Sequence, residues 1–133
     1  VEVLSRIRQM SVDTGYPIAN LLHAGDGNLH PSVLFDERKP GDTAAALDIG
    51  GKILELCVEV GGVLSGEHGI GLEKQQYMPL MFNDSDLDAM ARLKPSFATN
   101  DILNPGKIFP SGASCGEFSQ MSAVSKAGLG ASV

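Results

Sequence analysis

Histidine is scarce in this chain of 133 residues. There are three, His23, His30 and His68, and all of them fall in two glycine-rich clusters, which packing alone explains poorly. Cysteine is equally sparse: Cys57 and Cys115 share no spacing that suits a metal or a redox dithiol, so neither chemistry is expected from them. Cys57 falls on the apolar side of a helical pattern and reads as a buried free thiol in a reducing compartment. Basic residues number 10 against 16 acidic ones, a formal net charge of −6, with no Lys/Arg run. That balance excludes the electrostatic footprint of a nucleic-acid or anionic-membrane binder. No apolar stretch approaches the roughly 20 residues of a membrane span. The first residue is Val, and Val1–Met10 reads as helix without the basic-then-apolar layout of a secretory signal. A chain opening inside a helix is expected to be a piece of a longer protein.

What is present fits one modest domain, since 43% of the residues are apolar. Val3, Ile7 and Met10 recur at helical spacing, and Gly15 supplies a stop. Pro17–His23 and His30–Phe35 are short apolar runs bounded by turn residues and are expected to be strands. Gly41-Asp-Thr43 opens a long helix reaching about Val60, with Leu47, Ile53, Leu54, Cys57, Val58 and Val60 on its apolar side. On its polar side Asp48 can pair with Lys52, and Glu55 and Glu59 face solvent. Gly61-Gly62 ends this helix, and Val63-Leu64 reads as a short buried strand. Asn83–Asp86 offers N-caps for a helix through Leu87, Met90 and Leu93, which Pro95 ends or kinks near Lys94. Asn104-Pro-Gly-Lys-Ile-Phe-Pro110 is a rigid turn. Residues 1–110 are expected to form the domain, and 111–133, rich in Ser, Gly and Ala, a flexible tail. The order helix, strand, strand, helix, then helices predicts an α+β fold with an antiparallel sheet.

The first cluster, His23-Ala-Gly-Asp-Gly-Asn-Leu-His30, places two histidines seven residues apart around Asp26-Gly27. Read as a two-residue type I′ hairpin, that dipeptide sets His23 directly opposite His30. Facing side chains have Cβ atoms roughly 5 Å apart, so both imidazoles can reach one ion. Asp26 then stabilises the loop or orients a ligand. The second cluster, Ser65-Gly-Glu-His-Gly-Ile-Gly71, follows with Glu67 37 residues after His30. Glu67 is the candidate third ligand, since Gly66, Gly69 and Gly71 allow close backbone approach, and a carboxylate commonly completes a catalytic site with an open position. His68 stands beside it, with an imidazole suited to take a proton. Read from residues alone, this set also fits a stand-alone metal-dependent hydrolase or lyase with Glu67 as base, or a non-catalytic association domain.

Together these motifs resemble the C-terminal part of the FAD-linked 2-hydroxyacid dehydrogenases, the bacterial glycolate oxidase FAD-subunit type in particular. The resemblance rests on His23–Pro31, Leu34-Phe-Asp36, Gly50–Gly62, Ser65–Gly71 and Leu103-Asn-Pro-Gly-Lys107, in that order along nearly the whole chain up to Phe109. It implies part of a ferredoxin-like cap domain, with helices on one face of the sheet and a C-terminal helical segment. It implies a divalent metal, Zn or Mn/Fe, on His23, His30 and Glu67, with His68 as the catalytic base. FAD would be bound mainly by an N-terminal domain that this chain lacks, with Asn28, Asn104 and Lys107 near the flavin or the active-site wall. The implied reaction oxidises a small 2-hydroxy acid, of glycolate or D-lactate type, to the 2-oxo acid; the isolated chain is expected to be inactive. Ser32 stands where relatives acting on dicarboxylates often carry Asn, which favours a smaller substrate. The expected partners are the substrate, other oxidase subunits or an electron acceptor, and a further copy of the chain. The expected location is the cytoplasm, peripheral to the inner membrane through partner subunits.

Overall fold

The computed structural model describes residues 2–97, 100 and 102–110. Cys115 and the expected tail at 111–133 lie outside them. The fold is α+β: α1 (Glu2–Thr14), β1 (Ile18–His23), β2 (Asn28–Val33), α2 (Asp42–Glu59), a short 3₁₀ helix (Gln75–Leu80) and α3 (Asp84–Phe97). The chain divides into two compact units, one reaching His68 and the other starting at Gly69. No helix among the described residues is long and apolar enough to cross a membrane.

In the first unit the core is built from two helical stripes. Ile7 of α1 meets Ile49, Ile53 and Leu56 of α2, all between 0 and 4% exposed, and Val3 and Met10 pack beside them. These positions follow the three- and four-residue spacing that stacks side chains on one helix face. The apolar side of α2 therefore agrees with the expected one only in part: Ile53 is buried and Leu54, Cys57 and Val58 are half-buried, but Ala46, Ile49 and Leu56 complete the buried strip while Leu47 and Val60 are exposed. Apolar residues occupy more than half the circumference of this helix, so periodicity leaves the inward strip open and the packing partners choose it. Cys57 is half-buried against the same cluster rather than buried.

β1 and β2 pair antiparallel as a two-stranded sheet, with Ile18 opposite Val33 and His23 opposite Asn28. Ile18, Leu29 and Val33 share one face and pack against the helical core. Since side chains alternate along a strand, Ala19, Leu21, His23, Asn28, His30 and Ser32 occupy the other face. Helices thus cover one face, and the histidines stand on the open one.

The end of α2 directs the chain toward them. Gly61 N–H donates to Val58 O at 2.9 Å and Gly62 N–H to Cys57 O at 2.8 Å, with Gly61 at φ 84°. This paired stop satisfies the last carbonyls of the helix and needs a residue that tolerates positive φ. No strand forms at 63–64; Leu64 is instead a buried anchor, 3% exposed, and Val63 faces solvent. In the second unit, Asn83 and Asp86 cap the start of α3 reciprocally, through Asn83 N–H to Asp86 Oδ2 at 3.1 Å and Asp86 N–H to Asn83 Oδ1 at 3.0 Å. Pro95 lies inside α3, which runs two residues beyond it.

Asp48 and Lys52 pair at 2.7 Å as expected, but Glu59 also finds a partner, Arg6 of α1, through two bonds of 3.0 and 2.8 Å. The Arg6 guanidinium holds the Glu59 carboxyl below the ordinary glutamate range, mainly by this hydrogen bonding. A lowered folded-state pKa stabilises the fold above the unfolded value and loses that contribution as pH falls through the folded one. Glu59→Gln should therefore lower the melting temperature slightly near neutrality. Its deficit against wild type should vanish in acid, as measured by thermal unfolding across the glutamate range.

Candidate metal centre

The loop between the strands is longer than a two-residue turn. Ala24–Gly27 form a four-residue connection in which Asp26 N–H and Gly27 N–H both donate to His23 O, at 3.3 and 3.1 Å. Only Gly27 takes positive φ, 75°, whereas a type I′ turn needs it at both central residues. Asp26 Oδ1 accepts the Asn28 N–H at 3.1 Å, the local Asx bond that makes Asp a turn residue and bears out its loop-stabilising role.

This longer loop moves the register by two. His23 lies opposite Asn28 and His30 opposite Leu21, so the histidines are diagonal neighbours rather than a facing pair. A shift of two preserves the alternation of faces, where a shift of one would have separated them. Their rings meet edge to face with centroids 5.4 Å apart.

Glu67 reaches this face from the loop after α2. Its Oε1 lies 2.8 Å from His30 Nε2, 3.9 Å from His23 Nε2 and 3.5 Å from His68 Nε2. One carboxylate oxygen thus collects three imidazoles. His30 is the most enclosed of them, its side chain 20% exposed, and its ring lies 5.1 Å from that of His68. His68 is the most open, at 73%.

Donor atoms of His23, His30 and Glu67 all lie within 4.8 Å of one another, a grouping that could hold an ion. Two donors about 2.1 Å from one tetrahedral ion stand roughly 3.4 Å apart. The 2.8 and 3.9 Å separations of His30 and His23 from Glu67 bracket that value, so the donor set fits a small divalent cation.

The remaining expected site residues fall in different units. Asn28 stands on the histidine face with its side chain against the backbone of Gly66. Sequence reading missed this contact; the only signal was a glycine directly before Glu67. Asn104 and Lys107 belong to the second unit. There Asn104 takes φ 47°, a value Asn tolerates better than most residues, and its carbonyl accepts from Lys94 Nζ at 3.2 Å and Lys107 N–H at 3.4 Å. Ile108 N–H closes onto Gly71 O at 2.8 Å.

The family model of the FAD linked oxidases, C-terminal domain, matches residues 1–108. The chain belongs to this family. It is similar to the glycolate oxidase subunit GlcD of Escherichia coli K12, 49% identical over 119 residues that make up 90% of this chain and 24% of the relative. The subunit of the same name from Bacillus subtilis is 36% identical over 80% of this chain and 23% of its own length. A mitochondrial D-lactate dehydrogenase [cytochrome] of Arabidopsis thaliana is 30% identical over 82% of this chain and 19% of its own length. The chain therefore spans about a quarter or less of the length of these curated relatives. As an FAD-linked oxidase C-terminal domain it carries its histidine hairpin and Glu-His loop in one compact unit.

The hairpin geometry separates its two small-residue positions. Gly27 has positive φ, whereas Gly25 does not and has open space where a Cβ would stand. Gly27→Ala should destabilise by roughly 1–2 kcal/mol, and Gly25→Ala should be neutral or stabilise by up to about 1 kcal/mol. Urea unfolding of the two variants checks this.

Proposed function

We propose that this chain is the metal-bearing C-terminal part of an FAD-dependent dehydrogenase that oxidises a small 2-hydroxy acid, of glycolate or D-lactate type, to the 2-oxo acid. The observation that carries the reading is the convergence of His23, His30 and His68 on one oxygen of Glu67. The names of the relatives, glycolate oxidase subunit and D-lactate dehydrogenase, support the reaction class.

His23, His30 and Glu67 would hold the ion, with Zn, Mn and Fe all compatible with two imidazoles and a carboxylate. When bound, the ion would supply Lewis acidity toward the substrate's carboxylate and hydroxyl oxygens, and a flavin would supply the acceptor for the Cα hydride. His68 is the group left to handle the proton. It adjoins a ligand, its ring is the most open of the three, and it would take the hydroxyl proton as the Cα–H bond breaks. Leu21 and Ser32 flank His30 on the same face, and Ser32, standing where relatives acting on dicarboxylates often carry Asn, favours a small substrate by resemblance. Asn28, Asn104 and Lys107 are assigned to the flavin side by resemblance. The word "subunit" in the relatives' names supports further oxidase subunits as partners and as the route to an electron acceptor, with a further copy of the chain as another partner. A cytoplasmic location, peripheral to the inner membrane through those subunits, completes the proposal.

Elemental analysis and kinetics on the full-length protein test the reading. His23→Ala and Glu67→Ala should lose stoichiometric metal together with 2-hydroxy acid oxidation. Metal retained equally by wild type and both variants would end the ligand assignment. His68→Gln should keep its metal and flavin but lose about 10²–10⁴-fold in kcat, the range for a general base. A kcat near wild type would remove His68 from the chemistry.

A further inference from the structure

We propose that Asn28 and Gly66 form a steric latch that sets the reach of Glu67 toward the histidine pair, making both positioning residues. The inference rests on the metal-site reading of His23, His30 and Glu67, and adds the contact that holds the third ligand in place.

The latch joins the start of the strand to the loop that follows α2. Asn28 begins β2 opposite His23, on the histidine face, and is half-buried. Gly66 immediately precedes Glu67. A Cβ on Gly66 would lie 2.8 Å from Asn28 Cγ and 3.3 Å from its Nδ2, and closer still to Oδ1. The two clashing atoms, Oδ1 and Cγ, and the tight Nδ2 belong to one side-chain amide, so the backbone at 66 is seated on that amide.

The requirement for glycine here is steric and not conformational. Gly69 and Gly71, in the same motif, have positive φ of 82° and 59° and open space where a Cβ would stand. Gly66 is the reverse: its φ is not positive, and the space is filled. Rotating the Asn28 amide about χ2 moves Oδ1 and Nδ2 but leaves Cγ where it is, so relief needs a new χ1 or a displaced loop. The Asn28 backbone is itself held, by register with His23 and by its N–H bond to Asp26 Oδ1 at 3.1 Å. A displaced loop would carry Glu67 away from His30, now 2.8 Å distant. Ligand groups held this closely depend on the packing behind them.

The test uses four full-length proteins: wild type, Gly66→Ala, Asn28→Ala and the double variant. Each apoprotein is titrated with Zn²⁺ and with Mn²⁺, and crystal structures give the His30–Glu67 distance. Gly66→Ala should bind metal about 10–100-fold more weakly, the range for losing support behind a ligand, and show Glu67 drawn back. The double variant should recover the affinity and Glu67 placement of Asn28→Ala alone, because the clash has gone. Wild-type affinity in Gly66→Ala with Glu67 in place and only Asn28 turned aside would overturn the latch. So would a double variant no better than Gly66→Ala. If Gly66→Ala does not fold, recovery of folding and metal binding in the double variant supports the latch, and their absence overturns it. Should wild type hold no metal while Glu67 still moves in Gly66→Ala and returns in the double variant, the latch stands and the metal-site reading falls.

Discussion

Alternation of side chains along a β-strand is the constraint on which the candidate centre depends. Two imidazoles can share an ion only if both stand on one face of the hairpin, and face membership follows the parity of the register. The loop Ala24–Gly27 sets that register: Gly27 turns the chain with positive φ, and Asp26 ties the loop to the start of β2. The opposite face is committed to the core through Ile18, Leu29 and Val33, so a one-residue slip would bury histidines against Ile53 and Leu56. Hydrophobic packing on one side therefore enforces the chemistry on the other.

Glu67, the third residue of the candidate centre, arrives by a different route. Gly61 and Gly62 close α2, Leu64 anchors the chain that follows, and Gly66 lies against Asn28 before Glu67 turns toward His30. Each step narrows where the carboxylate can go. Three imidazoles then surround one oxygen, and their unequal exposure separates an enclosed His30 from an accessible His68. The chain belongs to the FAD-linked oxidase C-terminal family, and the glycolate oxidase subunit of Escherichia coli K12 is about four times the length matched here.

Much of this was legible from residue order. Scarce histidines clustered among glycines pointed to the site, the apolar spacing of Val3, Ile7 and Met10 to α1, and Asp48 with Lys52 to the exposed side of α2. The misses have common physical causes. The inward strip of α2 is only partly legible, Ile53 but not Ile49 or Leu56, because apolar residues surround most of that helix. The hairpin was made too tight because Asp-Gly fits both a two-residue turn and the end of a longer loop, and local chemistry does not separate them. The Arg6–Glu59 pair joins residues 53 apart, beyond the reach of any spacing rule.

Sequence alone determined which groups could do chemistry here: two imidazoles around a turn, an adjacent Glu-His pair, and glycines where the backbone must bend. Those are matters of residue type and short-range spacing. The tertiary structure decided which atoms meet. It set the histidines diagonally rather than face to face, brought Glu67 to His30 from 37 residues along the chain, and seated Gly66 on Asn28. Long-range contacts of this kind come from packing the helices on one face of the hairpin, and no local pattern in the chain encodes their distances.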